Sequence, residues 1–395
     1  MAKKDEIYDI CIVGGGASGM TAAIVSKYAN PDLSILILEK NDALGKKLRA
    51  TGNGRCNITN VSADNYIDTL AYFTNLSILP REEDGRIYPN SEDSRDVVNA
   101  LIGKICDLNI DIVTGVSVTK ITKEKDIFSI IMSGASYSSK KLLIATGGKA
   151  APIYGTTGDG YNLSKNFGHS ITKLAPVLTP VECIGDFKTL KGIRSKGILS
   201  LELNEEIIFK EQGEIQFTDY GVSGICVFNA TRFMKFIGGD GVKPYTLYFN
   251  FAPNVDMREF LNDRINKACC DDSGEKVGTI LRGLVKEGIS KRVSELANIK
   301  KSRAISSLSQ SEIVNIASIA QRFPLKPVRL KGWKMAQCTS GGITSEEINM
   351  NTFESKLVEN LYFAGEILDY DGPCGGFNLD YAWHTGTVAG RNMSK

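Results

Sequence analysis

The sequence lacks several features that would point to particular classes of protein. Its 47 basic and 45 acidic residues leave a net charge of only +2, and neither sign forms a long block. This balance gives no general attraction to nucleic acid or to an anionic membrane. No apolar run approaches the roughly 20 residues that a membrane-spanning helix needs. We therefore expect a small-molecule substrate and neither a nucleic acid nor a membrane as partner, while no pattern predicts an oligomeric state.

Metal-binding and disulfide patterns are also missing. The nine cysteines are scattered, odd in number and without a C-x-x-C pair, which argues against a zinc site and a disulfide framework. We predict free thiols, no metal and a reducing, cytoplasmic location. Gly14 interrupts the first apolar run, so no secretory signal is expected. Only two histidines, His169 and His384, are available for acid–base catalysis.

The sequence does contain a strand, glycine loop, helix and strand near its start. Residues 7–13 (IYDICIV) are apolar and β-branched, residues 17–29 form a helix of small residues, and SILILEK follows as a second buried strand. Such a βαβ unit predicts a parallel sheet. Gly14, Gly16 and Gly19 satisfy the G-x-G-x-x-G spacing of dinucleotide sites, in which the pyrophosphate lies on the helix N-terminus.

An acidic residue and a second glycine cluster extend this prediction. Glu39 ends the second strand, where a carboxylate binds the adenosine ribose. Near the C-terminus, YFAGEILDYDGPCGGFNLDYAWHTG is typical of a strand, an acidic residue, a loop and a helix that opens at Gly375 and Gly376. In flavoproteins of the glutathione-reductase-like fold, such a segment brings an acid to the ribitol and a helix N-terminus to the flavin. The cluster favours FAD over NAD, although an ordinary amphipathic helix stays an alternative.

The region between the two glycine clusters predicts an insertion. ILSLELNEEIIFKEQGEIQFT alternates apolar and polar residues around a Gln-Gly turn, which indicates an antiparallel hairpin, and later residues show a helical period. We predict an α/β protein with a glutathione-reductase-like Rossmann FAD domain, an inserted β-barrel-like subdomain and a small helical subdomain. The predicted ranges are 1–189 and 341–395 for the FAD domain, 190–255 and about 322–340 for the β-rich part, and 256–321 for the helical part.

Longer motifs resemble one bacterial flavoprotein family. TGNGRCNITN, YGTTGDGY, FTDYGVSG, AQCTSGGI and GEILDYDGPCGGFN are similar to the family that includes aminoacetone oxidases and bile-acid-dehydroxylation ene-reductases, over essentially the whole chain. The resemblance implies FAD, with GKKLRATGNGRCN running toward its ring, basic residues near its phosphates, and a backbone contact from Val116 to adenine. The basic residues can equally be solvated. The predicted FAD contacts are Gly14, Gly16, Ala17, Ser18, Gly19, Glu39, Lys40, Lys46, Lys47, Thr51, Gly52, Gly54, Arg55, Asn57, Val116, Ala145, Thr146, Gly147, Gly365, Glu366, Gly376, Phe377, Asn378 and Leu379.

Three functions stay compatible with the sequence. In the first, NAD(P)H reduces the flavin, which passes hydride to a conjugated C=C while a protein acid protonates the adjacent carbon. In the second, a small amine such as aminoacetone is oxidised and dioxygen reoxidises the flavin. In the third, FAD is a sensor or structural group in an interaction protein. We favour the first, because the insertion can shape a roomy hydrophobic pocket. No second G-x-G-x-x-G follows a strand, so NAD(P)H would dock directly over the flavin.

The sequence does not identify the catalytic acid or base. Weak candidates are Tyr220 and Tyr154, in glycine-flanked loops, and His384, on the helix predicted to face the flavin. A structural role is the alternative for each. Cys374 and Cys56 lack a partner cysteine nearby in the sequence, so we predict that they serve packing.

Overall fold

The computed structural model describes residues 6–235, 245–270 and 274–395. In chain order, the strands are β1 (Ile7–Val13), β2 (Ile35–Leu38), β3 (Thr59–Asn60), β4 (Pro80–Glu83), β5 (Arg86–Pro89), β6 (Asp111–Val113), β7 (Val118–Glu124), β8 (Ile127–Met132), β9 (Ala135–Ile144), β10 (Ala175–Val177), β11 (Val181–Cys183), β12 (Arg194–Leu203), β13 (Glu206–Phe217), β14 (Gly221–Ser223), β15 (Tyr245–Asn250), β16 (Phe323–Leu325), β17 (Pro327–Leu330), β18 (Cys338–Ser340), β19 (Ile348–Asn349), β20 (Glu354–Ser355) and β21 (Leu361–Phe363). The helices are α1 (Ala17–Ala29), α2 (Tyr66–Asn75), α3 (Ser94–Asp107), α4 (Asp159–Lys165), α5 (Ile225–Thr231), α6 (Met257–Cys270), α7 (Glu287–Leu296), α8 (Gln310–Gln321) and α9 (Phe377–Met393). Within these described ranges, none of the helices is long and apolar enough to cross a membrane.

The chain divides into two compact units. The first runs to Pro176 and resumes at Trp333, and the second spans Val177–Gly332. These boundaries differ from the predicted ones at 189 and 341. The β-rich and helical segments, which the sequence analysis separates, belong to one unit because they share a core: Leu261 and Ile313 of the helices are buried in the same cluster as Phe249 of the sheet.

The first unit is built on a nine-stranded sheet in which five neighbouring strands are parallel. Strands β6, β2, β1, β9 and β21 lie in that order and all run parallel. Ile10 of β1 lies opposite Ile35 of β2 and Lys141 of β9. The inner strands are buried apolar runs, as expected for a sheet covered on both faces. Since these strands are parallel, the loops after β1, β2, β9 and β21 emerge at one edge, where α/β proteins bind their ligands.

The two ends of the chain pack against each other in this unit through α1 and α9. A Cβ on Gly386 would lie 2.4 Å from the carbonyl oxygen of Ser18, and a Cβ on Gly390 would lie 2.6 Å from that of Ala22. The Ser26 hydroxyl donates to the Gly390 carbonyl at 2.9 Å. Small residues therefore allow the two helices to touch backbone to backbone. The predicted Rossmann domain made from both chain ends is confirmed.

The second unit contains an antiparallel sheet in the order β16-β15-β12-β13-β14-β11-β17. Strands β16 and β17 lie at opposite ends of this order, yet only Lys326 separates them in the chain. One residue can span only about 3.5 Å. The sheet must therefore curve until its first and last strands are adjacent, which confirms the β-barrel-like prediction.

The turn of the β12–β13 hairpin was predicted wrongly. The chain turns at Asn204 and Glu205, whose φ angles are 52° and 69°. Gln212 and Gly213, predicted as the turn, lie inside β13, where Gly213 pairs with Gly197. Asn tolerates the left-handed conformation that a tight hairpin requires, so it competes with a glycine-containing dipeptide as a turn residue.

Candidate functional site

The glycine loop after β1 brings the sheet edge and helix α1 close together. Gly14 has a φ of +112°, and a Cβ there would lie 2.4 Å from the carbonyl oxygen of Ala145 in the loop after β9. A Cβ on Gly19 would lie 2.0 Å from the Gly14 carbonyl oxygen, because α1 presses against the loop. Side chains at these two positions would force the strand and helix apart.

The N-terminus of α1 has the properties of an anion site. Gly16 is the N-cap, no side chain caps the helix, and its first turn holds no acidic residue. Apart from its two chain neighbours, no described residue has an atom within 4 Å of a Cβ built on Gly16. Ala17 and Ser18 form the first turn, and the Ser18 hydroxyl donates to the Ala364 carbonyl at 3.2 Å. Uncapped amides at the positive end of a helix bind a diphosphate well.

Glu39 is buried and organises this loop. One carboxylate oxygen accepts from the Gly15 amide at 2.9 Å, and the other accepts from the Asn41 amide at 2.8 Å and its side chain at 2.7 Å. The Val116 amide donates to the Glu39 carbonyl at 3.1 Å, so a contact from Val116 to adenine would have to use its carbonyl oxygen. Glu39 was predicted to bind the ribose, whereas Asn41, which immobilises that carboxylate, was not predicted.

The loop between β2 and β3 presents irregular backbone. Its 3₁₀ segment, Leu48–Gly54, breaks at Thr51, where ψ is 150° and the Thr51 hydroxyl donates to the Leu48 carbonyl at 2.7 Å. A Cβ on Gly52 would lie 2.9 Å from the Asn57 amide nitrogen, whereas a Cβ on Gly54 has no described atom within 4 Å. The side-chain oxygen of Asn57 is buried and has no hydrogen-bond partner among the described residues. Buried acceptors of this kind require a partner, which a bound ligand can supply.

Lys40, a predicted FAD contact, and two of the predicted phosphate-neutralising residues, Lys46 and Arg55, pair with local acids. Lys40 binds Asp159, and Lys46 lies 3.9 Å from Asp42 at an exposed position. Arg55 lies 3.2 Å from Glu83 and stacks over Tyr88 at 4.2 Å. These pairs support the solvated-surface alternative for Lys46 and Arg55, whose role toward phosphate stays a prediction, as does the contact of Lys40 with FAD.

Lys47 instead reaches the C-terminal segment. Its Nζ lies 2.6 Å from Oε2 of Glu366, in the loop after β21. The other oxygen, Oε1, accepts from the Thr339 amide at 2.9 Å. The Thr339 hydroxyl in turn accepts from the amides of Lys149 at 2.7 Å and Ala150 at 3.0 Å. Thr339, which the sequence analysis missed, therefore ties the loop after β9 to Glu366.

The loop after β9 and the residue before Glu366 are positioned mainly by packing. The Ala145 amide donates to the Val13 carbonyl at 2.8 Å. The Thr146 hydroxyl is buried directly under α4, because a Cβ on Gly160 would lie 2.0 Å from it. Gly147 has a φ of 71°, and the Gly365 amide donates to the Thr385 hydroxyl at 2.9 Å. Packing accounts for these contacts, and the contact of these residues with FAD stays a prediction.

Helix α9 begins against strand β3. Its N-cap, Gly376, has a φ of +105°, and a Cβ there would lie 2.4 Å from the Thr59 carbonyl oxygen. Phe377 and Leu379 are half-buried in the first turn. The Asn378 side chain accepts from the Gly372 amide at 2.8 Å and donates to its carbonyl at 2.9 Å. Asn378 thus shapes the glycine loop before the helix, and this local role does not involve a cofactor.

Asp380 is a buried carboxylate that the sequence analysis missed. One oxygen accepts from the hydroxyls of Thr59 and Thr69, both at 2.7 Å. The other accepts from the amide and side chain of Asn65 at 3.2 and 3.3 Å. The carboxylate lies in the first turn of α9, where the helix dipole favours it. Asp380 therefore joins α9 to β3 and α2 and fixes where the helix N-terminus points.

The catalytic candidates lie in different surroundings. The Tyr154 carbonyl accepts from Asn41 at 3.3 Å, which places its backbone beside Glu39. His384 lies about two turns into α9, with its ring edge-on to Phe353, and burial lowers its pKa. Tyr220 belongs to the second unit, where Lys331 lies 4.1 Å over its ring and burial raises its pKa. The lowered pKa favours the neutral form of His384, and all three residues stay candidates.

Cys56 and Cys374 are both present as thiols rather than in disulfides. Cys56 is buried, and burial raises its pKa to about 12, so it holds its proton at neutral pH. The Cys374 thiol donates to the Gln337 side chain at 3.6 Å. Both observations fit the predicted packing role.

The residues at this edge of the sheet fit FAD. The uncapped α1 with open space at Gly16 suits a diphosphate, the unpaired Asn57 oxygen offers a buried acceptor, and Glu366 and the α9 N-terminus lie in segments that the sequence analysis assigns to the flavin half. Fold and site together define a Rossmann-type FAD-dependent oxidoreductase.

Comparison with known proteins makes the assignment specific. The chain belongs to the family described as HI0933-like protein Rossmann domain, whose model matches residues 8–75 and 65–392. A 3-dehydro-bile acid delta(4,6)-reductase of Clostridium scindens is 31% identical over 97% of this chain and 98% of its own length. A ribosomal RNA dihydrouridine synthase of Escherichia coli is 24% identical over 98% of each chain. The open conformation of a flavocytochrome c3 fumarate reductase has a TM-score of 0.50 and 15% identity, covering 99% of this chain and 78% of that chain, and so shares the fold.

Proposed function

We propose that the protein uses NAD(P)H to reduce a C=C conjugated to a carbonyl in a small hydrophobic substrate. The observation that carries this proposal is the 31% identity, over 97% of the chain, to a relative named as a 3-dehydro-bile acid delta(4,6)-reductase. That name specifies saturation of a ring C=C in a ketone. The near-zero net charge favours a small molecule over a polyanion as the substrate.

A second relative is consistent with the same bond chemistry. Dihydrouridine, the product named for the Escherichia coli relative, is uridine with hydrogen added across a C=C next to a carbonyl. Two relatives with different named substrates thus share one type of reaction. This agreement supports a conjugated C=C as the reacting group of the present protein more strongly than either relative does alone.

In this proposal, the residues of the protein bind and orient FAD. The α1 amides hold the diphosphate, Glu39 holds the adenosine ribose, and Glu366 with the α9 N-terminus holds the flavin half. Bound FAD supplies a centre that accepts and donates hydride. The protein must add a proton to the carbon next to the one that receives hydride.

Tyr220 is the proton donor that we propose to test, because it is a phenol in a glycine-flanked loop and is protonated at neutral pH. Replacing it by phenylalanine is expected to slow substrate reduction by about 100-fold, the range of a lost general acid. Flavin reduction by NAD(P)H should be unchanged, because that step needs no acid from the protein. Stopped-flow measurement of the two half-reactions separates them.

Tyr154→Phe is the matched control for Tyr220→Phe. The Tyr154 backbone is tied to Asn41 beside Glu39, at the adenosine end of the site, so this variant should retain both half-reactions. If Tyr220→Phe reduces substrate as fast as the unmodified protein, Tyr220 is not the donor. Loss of substrate reduction in Tyr154→Phe alone would move the assignment to Tyr154.

Anaerobic mixing tests the proposed reaction. The purified protein should be yellow, and NADH or NADPH should bleach its flavin, with the colour returning on addition of a conjugated enone. Bleaching by a small amine only, followed by reoxidation with dioxygen, would establish the oxidase instead. A flavin that neither nicotinamide nor amine reduces would favour a sensor or interaction protein.

A further inference from the structure

The ion pair between Lys47 and Glu366 joins the two halves of the predicted FAD site. Lys47 follows β2 and Glu366 follows β21, so the contact links residues from opposite ends of the chain. The Nζ to Oε2 distance is 2.6 Å, and the two side chains are 24% and 20% exposed. The side chain of neighbouring Lys46 is 45% exposed, and its Nζ lies farther from its acid, at 3.9 Å from Asp42. Lys47 therefore differs from its neighbour in both burial and pairing.

The Glu366 carboxylate has little freedom once Lys47 is in place. Lys47 binds Oε2, and the Thr339 amide donates to Oε1 at 2.9 Å. Gly148 packs so closely that a Cβ there would lie 2.7 Å from Oε1. Without Lys47, the carboxylate would keep its position beside Gly148 with its negative charge uncompensated. A partly buried charge that loses its partner is destabilising.

We propose that Lys47 is a positioning residue for FAD, which acts by holding Glu366 and balancing its charge rather than by binding phosphate. The inference rests on FAD binding at this site and not on which substrate is reduced. Glu366 then presents a fixed, neutralised carboxylate to the cofactor. The charge balance matters for redox chemistry, because an uncompensated carboxylate opposes the addition of electrons to a nearby flavin.

Two readouts on the full chain test this role. Apoprotein variants are titrated with FAD, and the midpoint potential of the bound FAD is measured. Lys47→Met is expected to weaken FAD binding by about 10-fold and to lower the potential, because Glu366 is left uncompensated. Lys47→Arg should restore most of both properties. Lys140→Met, which removes the same charge from an exposed ion pair with Asp9, is the control and should alter neither.

A double-mutant cycle with Glu366→Gln decides between the two roles of Lys47. If the lysine acts through the glutamate, Lys47→Met causes no further loss of affinity in the Glu366→Gln background, and the potential rises back toward that of the unmodified protein. If Lys47 binds phosphate itself, the 10-fold loss persists in that background and the proposal is overturned. Unchanged affinity and potential in Lys47→Met alone would also overturn it.

Two controls separate the role of Lys47 in FAD binding from effects on folding and from the identity of the substrate. Circular dichroism of each apoprotein reports its fold. If Lys47→Met does not fold, Lys47→Arg supplies the test, and an FAD affinity about 10-fold below that of the unmodified protein in a folded Lys47→Arg variant would contradict the proposal. The titrations contain no substrate. Failure to reduce any conjugated enone would therefore refute the proposed function while leaving this result standing.

Discussion

Replacing Gly16 by valine is expected to yield a folded, colourless protein. No described atom lies within 4 Å of a Cβ at this position, so the protein itself accommodates a side chain. The valine would instead occupy the space over the uncapped N-terminus of α1, where a diphosphate must approach the amides. Flavin released on denaturation, measured by absorbance, should fall below detection, while circular dichroism stays unchanged.

Two further glycine variants provide the controls. Gly103→Val places the same side chain on an exposed face of α3, again with no described atom within 4 Å, and should retain FAD. Gly19→Ala should destabilise the protein itself, because its Cβ would lie 2.0 Å from the Gly14 carbonyl oxygen. Normal flavin content in Gly16→Val would mean that the diphosphate lies elsewhere.

Replacing Asp380 by alanine is expected to cost about 3 kcal/mol of folding stability, since it leaves several buried donors unpaired. The hydroxyls of Thr59 and Thr69 and the amide of Asn65 all lose their acceptor. Because these contacts seat the start of α9, flavin content should fall as well. Urea unfolding monitored by circular dichroism measures the first effect, and absorbance of the purified protein measures the second.

Asp32→Ala is the matched control for Asp380→Ala. Asp32 is exposed in the turn before β2, so removing its carboxylate should change neither stability nor flavin content. An Asp380→Ala protein with the same urea midpoint as Asp32→Ala would show that the buried carboxylate does not fix α9. The account of how the helix N-terminus is oriented would then be wrong.

The parts of the fold that depend on local signals could be predicted from the sequence. The β1 strand coincides with IYDICIV, and α1 coincides with ASGMTAAIVSKYA, because strand and helix periods and a glycine loop are all encoded within a few residues. The helix that opens after Gly376 was predicted on the same basis. The position of the hairpin turn was predicted wrongly, because Asn204 and Glu205 form the turn in place of Gln212 and Gly213.

The parts of the site that depend on distant partners could not be predicted. Lys47 and Lys46 are adjacent and chemically identical in the sequence, and only the position of Glu366 distinguishes them. Asp380 looks like an ordinary polar residue of a helix, because nothing local reveals that Thr59 and Thr69 surround it. Burial and pairing of charges are set by tertiary packing, which a single sequence does not encode in any short pattern.

A crystal structure of the protein with FAD bound tests the central claim most directly. The account predicts the diphosphate on the amides that begin α1 and the flavin ring beside the N-terminus of α9, both within the unit that contains the two chain ends. A diphosphate bound away from Gly16, or a ring that contacts neither Glu366 nor the start of α9, would contradict it.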